Sequence, residues 1–356
     1  MRVVVAMSGG VDSAVAAARL LHQGHEPIGV TLGLVDLSAQ GLAPSRCCSA
    51  ADVEVASRVC ASLGIPHHAV GVEAAFRTAV LEPFVESYLA GRTPSPCVRC
   101  NSRVKFRELA AIADRLGAEW VATGHFARRT NQGGEAELRR GRDRAKDQAY
   151  FLFELTPIVL RRVLFPLGEA SKEEVRREAR ALGLTNAERP DSQEVCFVPE
   201  GGSYLDVLER LASSRLAAGG EVVDTDGRVL ASHAGVHRFT VGQRRGLGVA
   251  GHRPRYVVEI QPEERRIVVG SRAEAERRRL ELAECNWIVD VSGAPRRALV
   301  QVRSRHDATA ALVAAGAGGS AVVEFDEPVL APAPGQAAVV FEGDRVLGGG
   351  WIVRTG

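Results

Sequence analysis

The N-terminal stretch of about twenty residues most constrains how this chain can fold. The β-branched residues 3–5 are followed, after Ala6 and Met7, by Ser-Gly-Gly and then by an Ala/Leu-rich segment that stops near Gly24. This order predicts a strand, a tight turn and a helix. Glycines let the backbone approach a ligand closely, and the start of a helix offers unbonded N–H groups to an anion. A phosphate group is therefore the expected ligand of residues 8–13.

The turn lacks the lysine-containing Walker sequence, so it would bind phosphate mainly through backbone donors. Ser8 and Ser13 can add hydroxyl donors, and Asp12 fits beside a phosphate if it orients the loop or holds a magnesium ion. A strand–helix turn without a ligand is the competing interpretation. The complete string Ser-Gly-Gly-x-Asp-Ser favours a ligand, because it resembles the pyrophosphate loop of ATP pyrophosphatases. These enzymes cleave ATP to AMP and pyrophosphate while they adenylate a substrate.

The rest of the chain predicts three domains. Apolar patterns alternate between strands and helices up to residue 200, which indicates a doubly wound parallel sheet. Ligands of such sheets bind at the carboxyl ends of the strands, where residues 8–13 and Gly124 both lie. We predict an α/β domain in residues 1–200, a small central α+β domain in residues 201–275 and a C-terminal β-barrel in residues 276–356.

Within the first domain the pattern predicts further elements. Strands are expected at 27–34, 66–72 and 120–125, helices at 50–63, 74–89, 101–116 and 171–182, and a mobile hairpin or loop at 129–139.

Bulk composition places the chain among cytoplasmic proteins. No apolar run reaches the roughly 20 residues of a membrane span, and the N-terminus has no basic signal-peptide region. Seven cysteines, an odd number at low density, argue against a disulfide scaffold. Cys60 and Cys285 lie in periodic apolar segments and are expected in the core.

Positive charge is concentrated in one window. Residues 238–279 contain eleven arginines and five glutamates, although the whole chain carries a net charge of only +2. Such a block fits a polyanionic partner, and it equally fits an arginine-rich solvated surface.

Residues 93–101 form the second informative stretch, Thr-Pro-Ser-Pro-Cys-Val-Arg-Cys-Asn. The two prolines predict an extended loop, with Asn101 as the N-cap of the next helix. Cys100 would then lie at a helix N-terminus beside Arg99, where the pKa of a thiol is lowered. A lone C-x-x-C also fits an inert pair, a zinc half-site or a cluster ligand. The expected partner is Cys196, which follows a polar segment and could move.

Together these motifs resemble one family along nearly the whole chain, the bacterial-type tRNA-specific 2-thiouridylases. The matching strings, in chain order, are S-G-G-V-D-S from Ser8, C-C-S from Cys47, P-C-x-x-C-N-x-x-x-K-F from Pro96, T-G-H from Thr123, K-D-Q from Lys146, D-S-x-x-x-C-F from Asp191, T-V-G-Q-R-R-G-L from Thr240, P-G-Q from Pro334 and G-G-G from Gly348.

The resemblance implies a set of site residues. Those for ATP are Ala6, Met7, Ser8, Gly9, Gly10, Val11, Asp12, Ser13, Leu32 and Gly124. Those for tRNA are His125, Lys146, Asp147, Gln148, Arg303, Ser304, Arg305 and Gln336. Those for the chemistry are Cys100 as nucleophile, Cys196 as persulfide carrier, Asp12 and Cys97.

The implied reaction replaces the C2 oxygen of the wobble uridine of tRNA with sulfur. ATP, with Mg²⁺, adenylates this oxygen and a sulfur nucleophile then displaces AMP. Cys196 would take sulfur from a relay protein or a cysteine desulfurase, and Cys100 would attack or close a disulfide with Cys196. The basic block becomes an RNA-binding surface under this interpretation.

Cys97 departs from the family pattern, since many members carry Asp there in a proton-handling role. Cys97, Cys100 and Cys196 could instead hold a [4Fe–4S] cluster with one iron open to sulfide, a live alternative to the persulfide route. No role is assigned to Cys47 and Cys48.

Three other functions compete with thiolation. An ammonia-using, amidotransferase-type synthetase would share residues 8–13 but not need the two thiols. A non-catalytic RNA-binding protein would not need an intact phosphate loop, and a zinc-stabilised structural module would not need ATP.

Overall fold

The computed structural model describes every residue except 36, 38–48, 191–194, 200, 217 and 252, so Cys47 and Cys48 lie outside the described residues. The described chain divides into two compact units. The first contains Met1–Leu81, Pro96–Tyr204 and Asp344–Val346. The second contains Glu82–Ser95, Leu205–Gly343 and Leu347–Gly356.

The first unit is built on a five-stranded parallel sheet, which confirms the predicted fold class. Its strands and one hairpin are β1 (Arg2–Ala6), β2 (Glu26–Gly33), β3 (His67–Gly71), β4 (Trp120–Ala122), β5 (Ala127–Gln132), β6 (Glu135–Arg140) and β7 (Val163–Leu164). The strand order is β3-β2-β1-β4-β7, with parallel pairing throughout. Strands β5 and β6 form the hairpin expected at 129–139.

Helices connect the strands of this sheet. The α-helices of the described residues, in both units, are α1 (Val11–His22), α2 (Ala50–Leu63), α3 (Glu73–Phe76), α4 (Glu82–Leu89), α5 (Pro96–Arg99), α6 (Phe106–Arg115), α7 (Pro157–Leu160), α8 (Lys172–Ala181), α9 (Tyr204–Ala212) and α10 (Arg272–Ala275). None of them, within the described residues, is long and apolar enough to cross a membrane.

Small side chains on α1 let this helix lie close to the sheet. Ala14, Ala16 and Ala17 are fully buried and share a core cluster with Val3 and Val5 of β1. Helix α1 follows β1 after only four residues, so its N-terminus is fixed at the carboxyl end of β1. Strand β4 pairs with β1, which brings the residues after Ala122 to the same edge.

The prediction of one continuous helix at 74–89 is wrong. The chain forms α3, then a π-helical turn at Arg77–Leu81, then α4. A π turn inserts one extra residue per turn and so re-aims the side chains that follow. The change also falls at the boundary between the two units. A single apolar period could not reveal it, because both halves look helical.

The second unit contains two sheets. Its strands are β8 (Gly220–Asp224), β9 (Val229–His233), β10 (Tyr256–Gln261), β11 (Arg266–Gly270), β12 (Glu276–Trp287), β13 (Arg296–Gln301), β14 (Thr309–Ala315), β15 (Ala321–Leu330), β16 (Ala337–Glu342) and β17 (Arg345–Thr355). Strands β8–β11 form a small sheet in the order β10-β11-β8-β9. Strands β12–β17 form a barrel that closes where β12 pairs with β17, and this confirms the predicted barrel.

Candidate active site

The turn between β1 and α1 has the geometry of an anion-binding loop. Gly9 adopts a left-handed φ of +73°, which glycine tolerates without strain. Gly10 is the N-cap of α1, and among the described residues no side chain caps this helix start. The first N–H groups of α1 are therefore exposed to a ligand at the positive end of the helix dipole.

The two serines of this loop chiefly stabilise the loop itself. Ser13 Oγ accepts a hydrogen bond from Ser8 N (3.2 Å) and donates one to Gly10 O (2.9 Å). Ser13 is buried, whereas Ser8 is exposed. Ser8 is thus the hydroxyl that can reach a bound phosphate.

Gly124 makes the closest approach to this loop. A Cβ at this position would lie 2.8 Å from both Asp12 C and Ser13 N. Residue 124 must therefore be glycine for the turn after β4 to pack against the start of α1. Leu32, also expected near the nucleotide, lies at the carboxyl end of β2, the other neighbour of β1.

His125 is a neutral group in the structure. Burial and the nearby Lys105 ammonium lower the pKa of His125 to about 3. Its Nδ1 lies 2.8 Å from Thr123 Oγ1, and its ring stacks against Phe106 at a centroid distance of 6.0 Å. An uncharged imidazole can stack or hydrogen-bond, but it adds no positive charge to attract a phosphate.

Asp147 and Gln148 shape the segment that carries Lys146. Asp147 accepts hydrogen bonds from Arg140 Nη1 (2.8 Å) and from the backbone N–H groups of Gly141 (2.9 Å) and Ala149 (3.1 Å). Gln148 Oε1 accepts from Phe126 N at 2.9 Å. These bonds hold the segment beside residues 123–126, whereas contact with RNA stays a prediction for all three residues.

The thiol segment at 96–105 is helical, so the predicted extended loop with Asn101 as N-cap is wrong. Helix α5 begins at Pro96, and a π-helical stretch from Cys100 to Lys105 leads directly into α6. Proline is tolerated in the first turn of a helix because its missing N–H has no partner there. Cys97 therefore lies in the first turn, while Cys100 lies within the helical run and is buried.

Buried polar contacts hold this thiol segment in place. Glu154, only 9% exposed, accepts from Arg99 Nη1 (3.1 Å) and from Ser102 Oγ (2.5 Å). Asn101 Nδ2 donates to Phe151 O at 3.1 Å. The π-helical turn with the second thiol is thus fixed to the segment that follows Gln148, as is common where π turns occur at functional sites.

Cys196 belongs to the same unit as Cys97 and Cys100. The residue after it, Phe197, is fully buried and meets the ring of Phe76 at a centroid distance of 6.0 Å. Phe76 ends α3, and the π-helical turn that follows packs against α5. The segment with Cys196 and the segment with Cys97 and Cys100 therefore both pack against the same part of the chain, Glu73–Leu81.

Cys60 is buried as predicted, and Cys285 is partly buried against the core of the barrel. Burial raises the pKa of Cys60 to about 11 and that of Cys285 to about 12, which suits inert core thiols. Among the described residues, no three Cys, His, Asp or Glu side chains gather closely enough to hold a metal ion. Within that part of the chain, Cys97, Cys100 and Cys196 are thus not gathered into a three-thiol cluster site.

The predicted tRNA residues of the barrel lie in the second unit and have partners there. Arg303 Nη2 donates to the carbonyl of Ala331, a residue with a left-handed φ of +46°. Gln336 Nε2 donates to Thr93 O (3.1 Å) and Pro94 O (3.0 Å). Both side chains therefore organise their own unit. Ser304 and Arg305 are exposed.

Sequence reasoning missed Lys172. Its Nζ lies 2.6 Å from Asp12 Oδ1, and its side chain is 90% buried beside the ring of Phe126. The sequence marked this region only as the start of the helix predicted at 171–182, which the structure shows with a capping box between Ser171 and Glu174. The lysine absent from the loop sequence is thus supplied by the start of α8.

Three protein families match successive parts of the chain. The tRNA methyl transferase HUP domain matches residues 1–200, the tRNA methyl transferase PRC-barrel domain residues 207–271, and the aminomethyltransferase beta-barrel domain residues 277–352.

Individual relatives match over almost their full length. The tRNA-specific 2-thiouridylase MnmA of Rhodospirillum centenum is 49% identical over 99% of this chain and 92% of the relative. The protein of the same name from Sorangium cellulosum is 50% identical with the same coverage of both chains. That of Acidithiobacillus ferrooxidans is 46% identical over 99% of both chains.

Replacing Gly124 by alanine is expected to weaken Mg–ATP binding at least tenfold. The new Cβ would collide with the Asp12–Ser13 backbone and displace the helix start that faces the phosphates. Isothermal titration calorimetry measures the effect. Gly71→Ala is the matched control, because the three atoms nearest to its Cβ would all belong to the Glu73 carboxylate, which can rotate away. Equal affinities of Gly124→Ala and wild type would contradict this account of the loop.

Proposed function

Because the chain belongs to the family of tRNA-specific 2-thiouridylases, we propose that it uses ATP to replace the C2 oxygen of the wobble uridine of tRNA with sulfur. The observation that carries the proposal is that one unit holds both a phosphate loop and three thiols on two separate segments. The direct test is to incubate unmodified tRNA with ATP and a sulfur donor, then analyse its nucleosides by mass spectrometry. Wobble 2-thiouridine is the expected product.

The first step activates a poor leaving group. The uridine O2 attacks the α-phosphorus of ATP, pyrophosphate leaves, and O2 becomes bonded to AMP while it stays attached to C2, which turns it into a good leaving group. The N–H groups at the start of α1 and the ammonium of Lys172 stabilise the negative charge that collects on the phosphates. Mg²⁺ enters with ATP as part of the substrate, and Asp12 offers a carboxylate at this site.

The second step delivers sulfur. A persulfide on Cys196 attacks C2 through its terminal sulfur, the C2–sulfur bond forms, and AMP leaves with the original oxygen. The Cys100 thiolate then attacks Cys196 Sγ and releases 2-thiouridine, which leaves a Cys100–Cys196 disulfide. An external thiol reductant restores both thiols, and a relay protein or cysteine desulfurase restores the persulfide. Cys97 stands near Cys100 on the same helical run and is the candidate for moving protons.

The tRNA would contact both units. His125 offers a neutral ring that can meet the target base, and Lys146, Asp147 and Gln148 lie on the neighbouring segment. In the second unit the candidates are Arg303, Ser304, Arg305 and Gln336, joined by the exposed arginines 244 and 245 of the basic block. We also propose the domain limits 1–200, 201–275 and 276–356 and a cytoplasmic location.

Serine at either Cys100 or Cys196 should abolish sulfur incorporation into tRNA while pyrophosphate release from ATP persists. The reason is that adenylation needs neither thiol, whereas transfer and release of sulfur need both. Nucleoside mass analysis and a pyrophosphate assay measure the two steps separately. The control is Cys60→Ala, which removes a buried thiol of high pKa. Wild-type thiolation by both serine variants would refute the assignment.

Methionine at Lys172 should weaken ATP binding about 10–100-fold, the value of one charge-assisted hydrogen bond. Calorimetric titration with Mg–ATP gives the affinity. The double variant Lys172→Met/Asp12→Asn is compared with Asp12→Asn alone, so that both proteins lack the carboxylate that Lys172 neutralises. A further loss of affinity in the double variant supports direct contact of the lysine with phosphate. Equal affinities of the two would show that the lysine only balances Asp12.

Replacing arginines 244 and 245 by glutamine should reduce the salt dependence of tRNA binding. Each phosphate contact contributes roughly 0.7–0.9 to the slope of log affinity against log salt, so the double variant should lose about 1–2 units. Filter binding over a salt series measures the slope. Arg58→Gln, which removes an exposed arginine paired with Glu54, serves as control. A slope equal to that of wild type would exclude arginines 244 and 245 from the RNA-binding surface.

A further inference from the structure

The carbonyl of Gly9 is held by two side chains from a distant part of the chain. Asn186 Nδ2 donates to Gly9 O at 3.0 Å and Arg189 Nη1 donates to the same oxygen at 3.3 Å. Both residues follow α8, and the sequence alone gave neither of them a role. Gly9 also lies close to α2, since a Cβ at this position would lie 2.9 Å from Asp52 O.

The second donor of Arg189 fixes this contact to α2. Arg189 Nη2 pairs with Oδ1 of Asp52, which is 1% exposed. The other oxygen of Asp52 accepts from Ser49 N (3.0 Å) and Ser49 Oγ (2.8 Å) and so closes the capping box of α2. Arg189 is thus oriented by a buried carboxylate whose two oxygens both have hydrogen-bond partners. The guanidinium meets Gly9 O from one defined direction.

Because two side chains hold the Gly9 carbonyl oxygen, the direction of the next N–H group, that of Gly10, is also set. A trans peptide is planar, so the N–H of Gly10 points opposite to the C=O of Gly9. Two donors on one side of the peptide therefore aim the Gly10 N–H at the other side, into the loop. It meets Ser8 Oγ there at 3.4 Å, a long and weak hydrogen bond. A phosphate oxygen can replace such a partner at little loss.

The side chain of Asn186 has a buried polar atom whose missing hydrogen bond costs stability. Its side chain is 4% exposed, yet its Oδ1 has no hydrogen-bond partner among the described residues. A buried acceptor without a partner destabilises a protein. The stabilising contact of this amide is therefore made by its NH₂ group, which donates to Gly9 O.

We infer that Asn186 and Arg189 are positioning residues of the phosphate loop, which aim the Gly10 N–H at the phosphates before the nucleotide arrives. The inference rests on the proposed function, since it assumes that residues 8–13 bind ATP. Neither side chain needs to touch the nucleotide. Preorganised donors of this kind favour binding because no reorientation is required when charge arrives.

The test compares variants at Asn186. Asn186→Ala removes the donor, and Asn186→Asp replaces it with an oxygen that repels the Gly9 carbonyl. We expect the Kd for Mg–ATP and for pyrophosphate to rise about 3–10-fold for alanine, the loss of one hydrogen bond, and more for aspartate. At saturating ATP the rate of uridine thiolation should stay within about twofold of wild type. Arg189→Lys should lie between wild type and Arg189→Met, because lysine keeps a cation on Asp52.

Arg180→Gln is the matched control, because it removes an exposed arginine that pairs with Glu188 in the same segment. Its affinities should equal those of wild type. Wild-type binding of both ligands by Asn186→Asp would overturn the inference. So would losses of affinity that disappear when binding is measured well below the melting midpoint of the ligand-free protein, because such losses come from unfolding. A wild-type protein that binds no ATP would instead refute the nucleotide step of the proposed function.

Discussion

The packing of Gly124 against the start of α1 is the contact on which the site depends. It requires two parallel strands, β1 and β4, to be direct neighbours, and their register places the two following turns at one edge. No side chain at residue 124 could fit, because the opposing atoms are backbone. The rigid sheet thus fixes the phosphate loop and the turn with His125 against each other without any flexible side chain between them.

Charge balance around the loop follows one pattern on both of its sides. Asp12 and Asp52 place two carboxylates beside an anion-binding turn, which would repel a nucleotide if they stood alone. Each is paired with a cation from the α8 region, Lys172 on one side and Arg189 on the other. The loop sequence contains no lysine, yet the folded site has positive partners on both flanks.

Strong local signals made most of the fold predictable. The β1–loop–α1 unit, the α2 helix, the helix at 171–182 and the C-terminal barrel each have their own periodicity or turn residues, and all were confirmed. The Pro96 helix was not, because proline signals an extended chain and a first helical turn equally well. Lys172, Asn186 and Arg189 were missed for another reason. Their roles arise only where segments far apart in sequence meet.

The contact between Arg189 and Gly9 also limits how far Cys196, the proposed sulfur carrier, can lie from residues 8–13. Cys196 follows Arg189 by seven residues, which span at most about 25 Å when fully extended. On the other side Phe197 is anchored in the core against Phe76. Cys196 is thus tethered at both ends, to residues 8–13 through Arg189 and to the element that supports Cys97 and Cys100 through Phe197. In the proposed reaction these two tethers would keep its sulfur within reach of both parts of the site.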